Sequence, residues 1–253
     1  MKERTQLSVL ENSELKCNGI GNRNNIDNCG VMLYQSMSGD ANTGTSNFNC
    51  KYSKMEILSS SSLYSSAPMF FVTNTESIIN IENCSFQYGS KIFLSAKGTS
   101  AWGNSGYNGG VVTLNLKNQN IEGDFVIDSN SGVTINLINS EIKGTFNSAN
   151  PAAKQSINMD ENSSIILTGN SYYTSLTNGD NSGKNINYGS YSLVKSEEKD
   201  ISKSSNGGNS PNVSGNLPNG GNSPNGSGNL PNGSGNPPKG NAIPQMEVVI
   251  LQM

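Results

Sequence analysis

From Leu7 to Leu167, apolar residues recur in pairs at i and i+2. A small or polar residue, usually Asn, follows two positions on, and then another apolar residue. Leu114-Asn-Leu116-Lys-Asn118-Gln-Asn-Ile121, Ile135-Asn-Leu137-Ile-Asn139-Ser-Glu-Ile142 and Ile79-Asn-Ile81-Glu-Asn83-Cys-Ser-Phe86 carry the pattern in full, at a period of about 21 to 24 residues. Residues at i and i+2 share one side of a strand, so each copy predicts a short strand with one buried face. Such a strand cannot bury that face alone. Stacking similar units in parallel makes a continuous core and pairs the backbone groups between units, and self-similarity at a fixed period marks a solenoid.

The turn slot after each strand falls at Asn12, Gln35, Ser59, Asn83, Asn118, Asn139 and Asn162, which predicts about seven coils of an all-β parallel β-helix. Asn suits this slot because it tolerates left-handed backbone angles and bonds to neighbouring amides. The wide interval between Asn83 and Asn118 holds a Gly- and Asn-rich insertion, residues 97–110. An antiparallel sandwich with regular turns is the alternative, but hairpin dipeptides between the apolar runs are few. The β-helix is expected over residues 1–195, with degenerate first coils at 1–54 and well-formed coils at 55–177. Beyond Lys195 the composition changes. Asn209-Ser-Pro-Asn-Val-Ser-Gly-Asn-Leu-Pro-Asn-Gly recurs from Asn222 as Asn-Ser-Pro-Asn-Gly-Ser-Gly-Asn-Leu-Pro-Asn-Gly, with almost nothing apolar to bury. Residues 196–245 therefore read as a disordered low-complexity linker. Residues 246–253 read as a short end, and both termini are expected to be truncated.

The net charge of −3 is small and spread out, without the basic stripe that nucleic acid or an anionic membrane would select. No run approaches the roughly 18 apolar residues of a membrane span, so no membrane insertion is expected. No apolar segment of a signal peptide follows Met1. Cys17, Cys29, Cys50 and Cys84 allow three disulfide connectivities that sequence does not separate, and free thiols packed along the core are the alternative. Their spacing lacks a C-x-x-C pair and argues against zinc.

Ala67-Pro-Met-Phe-Phe-Val-Thr-Asn-Thr75, Trp102-Gly-Asn-Ser-Gly-Tyr-Asn-Gly-Gly110 and Ser171-Tyr-Tyr-Thr-Ser-Leu176 occur in that order. Over about residues 55 to 177 the chain resembles the adhesin-like right-handed parallel β-helix proteins of anaerobic Firmicutes, which have pectin-lyase-like topology. The resemblance implies a secreted or cell-surface protein, adhesin-like or carbohydrate-binding, without catalytic residues to carry over.

Scaffolds of that topology often carry polysaccharide lyases or hydrolases. The chain has no His, and Arg4 and Arg23 are its only arginines, both outside the well-formed coils. A lyase base beside clustered calcium-binding carboxylates is therefore missing. A hydrolase needs two carboxyl groups about 5 to 9.5 Å apart. Asp124 and Asp128 at i and i+4 of one strand stand about 13 Å apart, and the adjacent Asp160 and Glu161 point oppositely. A cross-coil pair such as Asp124 with Glu141 is left open, and no enzyme is expected. No cofactor is expected either, beyond weak calcium binding at the turn residues Asp27, Asp40 or Asp180, which serve equally as solvated turn formers. For sugar, an exposed aromatic flanked by amides suits a pyranose ring, and the 97–110 insertion offers Trp102 and Tyr107 with Asn104 and Asn108. The alternative is that Trp102 folds back and anchors its own loop on a flank of the solenoid.

Three functions follow: a monomeric, non-catalytic surface module adhering to glycan or cell-surface material, a structural spacer solenoid of a larger envelope protein, and, third, a carbohydrate-active enzyme. An extracellular or cell-surface location fits the first two.

Overall fold

The computed structural model describes residues 6–21, 27–35, 45–101, 103–201 and 247–250. The chain divides into two units, 1–204 with 244–253 and 205–243. The second unit, and with it the linker expected at 196–245 beyond residue 201, lies outside the described residues.

The described residues are all-β, and their strands stack in parallel sheets without a helix. The first sheet has seven parallel strands in chain order: Gln6–Glu11, Thr45–Lys51, Thr75–Glu82, Gly110–Lys117, Gly132–Ile138, Lys154–Met159 and Ser175–Asn178. After each of the first six, the chain forms a short strand of a second face. These are Glu14–Cys17, Lys54–Ile57 and Ser85–Gln87, then Asn120–Glu122, Glu141–Gly144 and Ser164–Leu167, with Ile186–Asn187 last. A third face follows at Val31–Tyr34, Phe70–Thr73, Ile92–Ala96 and Asp124–Ile127 before the chain returns to the first sheet. Glu247–Ile250 lies antiparallel on the outer edge of Val31–Tyr34. This is the winding of a solenoid; in the coil of Gly132–Ile138 the third face is reduced to a single bridge from Phe146 to Phe125, and Ser171–Tyr173 pairs with Leu193–Lys195 in the coils that follow.

Alternation drives it. Phe48 and Cys50, Ile79 and Ile81, Leu114 and Leu116, Ile135 and Leu137, and Ile157 and Met159 all point inward, in register from coil to coil. Phe70 joins the interior from the third face, meeting Phe48 at 5.6 Å and Phe93 at 5.4 Å, edge to face. Phe93 leads to Phe125 at 5.9 Å, and Phe125 stacks on Phe146 at 5.2 Å. These aromatic contacts run along the axis and tie the third-face strands to the core. Val31–Tyr34 and Phe70–Thr73 are buried on both sides, which is why they read as unbroken apolar runs.

The early coils differ from expectation. Corner residues Ser13 and Ser53 meet across 40 residues, Asn49 and Asn80 across 31, and Asn80 and Asn115 across 35. Only later coils run at 21 and 22. Left-handed backbone marks the corner after the first sheet at Asn12, Tyr52, Asn83, Asn118 and Asn139 (φ 46 to 52°). Gln35 and Ser59 are not corners of that kind: Gln35 follows a third-face strand and Ser59 follows a second-face strand. Their apolar partners had the strand spacing of the repeat but belong to other faces of the first two coils. Asn162 sits in a turn closed by the Ser163 N–H donating to the Asp160 carbonyl at 3.3 Å.

Candidate functional site

Strand alternation that buries the apolar pairs leaves the residue between them outward. In five successive coils that residue is Asn: Asn49, Asn80, Asn115, Asn136 and Asn158. From Asn80 onward each Nδ2–H donates to the Oδ1 of the coil before, at 2.7, 2.7, 2.7 and 2.8 Å, so the five amides form one unbroken ladder. A carboxamide has two N–H groups and two lone pairs on its oxygen. An interior rung spends one of each on the ladder and keeps one of each for another partner.

One side of the ladder is a charged row. Glu82 bridges Lys51 at 3.2 Å and Lys117 at 3.1 Å, and the Lys117 bond first, then that of Lys51, holds its carboxyl below the usual range. Between ladder and row runs a shallow groove of about 390 Å³, open to solvent, with exposed Val9 and Ile138 on its rim. On the other side the outward column continues as Ile78, Thr113 and Thr134. The face is flat, repetitive, amide-rich and flanked by apolar and charged side chains. It can hydrogen-bond and cover an extended polar chain.

The 97–110 loop is built differently. Trp102 lies outside the described residues. Ala101 packs against the outward cluster of Cys29, Met32, Tyr34 and Phe71, and the Lys97 ammonium sits 5.6 Å from the centre of the Phe71 ring. The insertion therefore anchors part of itself on the flank of the third face. Asn108 is buried; its side-chain amide donates to the Thr99 carbonyl, and its main-chain carbonyl accepts the Asn74 N–H at 2.8 Å. It holds the loop together from inside. Asn104 and Tyr107 are exposed near the loop tip, where the Tyr107 N–H donates to the Asn104 carbonyl at 3.0 Å. Gly109 passes so close to the Asn130 carbonyl that a Cβ would collide with it.

The carboxylates are engaged by separate donors. Asp124 accepts the Thr145 N–H at 2.8 Å, Asp128 the Gly98 N–H at 2.8 Å, and Glu141 the Ser164 hydroxyl at 2.9 Å. Asp124 belongs to the third face and Glu141 to the second, so the cross-coil pair left open by sequence is not assembled. Asp180 accepts the Ser182 hydroxyl and N–H and the Asn185 N–H, and these bonds lower its pKa. Asp27 is buried, Asp40 lies outside the described residues, and among the described residues no group of three metal-ligating side chains comes together.

All four cysteines are thiols. Cys17 donates to the Gly30 carbonyl and Cys29 to the Asp27 carbonyl, and burial raises the pKa of each. Cys50 and Cys84 touch, sulfur to sulfur, at 2.9 Å.

Comparison with known protein families, curated proteins and solved structures finds no match.

Proposed function

We propose that this chain is a non-catalytic, adhesin-like binding module of the cell surface or extracellular space. In this reading it is a right-handed parallel β-helix of about seven coils with pectin-lyase-like topology, engaging glycan or other cell-surface polymer. The observation that carries the reading is the unbroken amide ladder from Asn49 to Asn158 beside an open groove. Parallel strands repeat about every 4.8 Å, so the face offers the same donor and acceptor again and again. Such an array suits a repetitive, hydroxyl-rich polymer bound by many weak contacts. Exposed Tyr107 and Asn104, with Trp102 in the same loop, add a second place for a sugar ring to stack.

The spacer solenoid is favoured by one feature: the ladder amides and the Lys51–Glu82–Lys117 row already partner one another. A glycan array probed with the full chain, Trp102→Ala and Asn115→Ala separates the readings. Binding weakened by Asn115→Ala assigns the ladder face, and binding abolished by Trp102→Ala assigns the loop. A folded, β-rich chain that binds no glycan sinks the adhesin reading in favour of the spacer.

A further inference from the structure

The corner that follows each first-sheet strand has a second repeated position, immediately after the left-handed residue. Ser13, Ser53, Cys84, Gln119 and Ser140 occupy it in turn. The serines there do one job. The Ser53 hydroxyl accepts the Ser13 N–H at 3.1 Å and donates to the Lys51 carbonyl at 2.8 Å. Ser140 likewise accepts the Gln119 N–H at 3.0 Å and donates to the Ile138 carbonyl at 2.8 Å. Cys84 copies the arrangement with sulfur, which donates to the Glu82 carbonyl at 3.3 Å and is approached by the Ser53 N–H. Nothing in the corner requires sulfur, since serine serves in the coil before.

Cys50 departs from its own column in the same way. Its position is held by Leu10, Ile81, Leu116, Leu137 and Met159 in the other coils from the first to the sixth, and by Asn178 in the last strand of the sheet. Two independent columns thus depart from their usual residue, and the departures meet, with Sγ atoms 2.9 Å apart. The two sulfurs also differ in exposure. Cys50 is buried, while Cys84 is half-buried and lines an open depression of about 710 Å³ bounded by Tyr52, Lys54 and Asn83.

We propose that Cys50 and Cys84 form a dithiol oxidation site, closing to a disulfide that stitches the second coil to the third. With a small-molecule disulfide such as oxidised glutathione as oxidant, the Cys84 thiolate attacks one glutathione sulfur. A protein–glutathione disulfide forms and one glutathione thiolate leaves, taking up a proton. Cys50 then gives up its proton, attacks the Cys84 sulfur and expels the second glutathione. Two protein thiols and one oxidised glutathione become one protein disulfide and two reduced glutathiones.

The order follows from access, and it agrees with acidity. The hydrogen bond shared by the two sulfurs lowers the Cys84 pKa to about 7, while the same bond and burial push Cys50 far higher. Thiolate character and exposure therefore coincide on Cys84. The loop closed by the bond spans one whole coil, 34 residues from Cys50 to Cys84, long enough for cross-linking to raise the melting temperature by about 5 to 10 °C.

The test is to incubate the fully reduced chain with oxidised glutathione and read it by intact mass, thiol titration and peptide mapping. The expected result is a mass loss of two hydrogens, two titratable thiols remaining of four, and a single cross-linked peptide pair carrying Cys50 and Cys84. Dithiothreitol should reverse all three and lower the melting temperature again. A Cys17→Ser/Cys29→Ser chain should still close the bond. Glutathione stably retained on Cys84, a cross-link involving Cys17 or Cys29, or four thiols persisting in the folded chain would each overturn the assignment. Mapping of the unsubstituted chain needs no variant to fold, so the result stands apart from the glycan-binding reading.

Discussion

Gln155 lies directly across from Val133 in the first sheet, placing a carboxamide where the preceding coil has an isopropyl group. The side chain is fully buried, and neither its Nε2 nor its Oε1 has a hydrogen-bond partner among the described residues. A buried amide without partners costs about 1 to 3 kcal/mol. Gln155→Met keeps the length and removes both polar atoms, and should stabilise the fold by about 1 kcal/mol. An unchanged or lower urea midpoint at constant slope would show that the amide is satisfied in solution.

Tyr52 is the odd member of the left-handed corners, with φ 49° where the other corners have Asn. A non-glycine residue other than Asn or Asp pays roughly 1 kcal/mol for that backbone. Tyr52→Asn should therefore raise stability by about 0.5 to 1 kcal/mol, even though it gives up the Lys51 ammonium 5.1 Å from the Tyr52 ring centre. Asn83→Ala should move the other way by a similar amount. Thermal melts of the two variants with opposite signs support the corner assignment, and equal signs refute it.

An interior ladder rung holds two side-chain bonds and a terminal rung one. Asn115→Ala loses those to Asn80 and from Asn136, whereas Asn158→Ala loses only its donation to Asn136. At about 1 kcal/mol per bond, denaturation should rank Asn115→Ala as roughly twice as damaging as Asn158→Ala. Equal losses would mean that the ladder contributes no stability beyond that of isolated surface amides.

Glu82 supports a pH prediction. Its carboxyl is held below the ordinary 4.5, first by Lys117 and then by Lys51. A depressed carboxylate contributes stability that is present above the unfolded value and is lost as pH falls through the folded one. The advantage of the native chain over Glu82→Gln should thus be present at pH 7, begin to fall below about 4.5 and vanish once Glu82 is protonated in both states. It should also shrink with added salt, since the row is exposed. A difference that grows toward acid pH would contradict the bridging role.

The solenoid was legible because its core repeats along the chain as well as in space. Ile79 and Ile81, Leu114 and Leu116, and Ile135 and Leu137 announce one strand each. Corner Asn12, Asn83, Asn118 and Asn139 were legible for the same reason. Val31 with Leu33 and Met55 with Ile57 misled, because an apolar pair at i and i+2 looks alike whichever face it covers. Separating the faces needed the coil lengths of 40 and 31 residues, which pairing alone supplies. The ladder Asn residues were visible between the apolar pairs, yet single-strand alternation treats them as ordinary outward polar positions. Their meaning comes from register between coils. Asn108 looked like a loop-tip amide, and it proved to be the residue that closes the loop.

The coil that carries the 97–110 insertion keeps the same register as the coils without one: Asn115 meets Asn80 across 35 residues at 2.7 Å, and Asn136 meets Asn115 across 21 at the same distance. Chain length at that corner is therefore uncoupled from the geometry of the stack. The stretch near Ser105 and Gly106 is a natural splice point, where a foreign peptide could be displayed at a fixed coil of the stack without disturbing the scaffold that carries it.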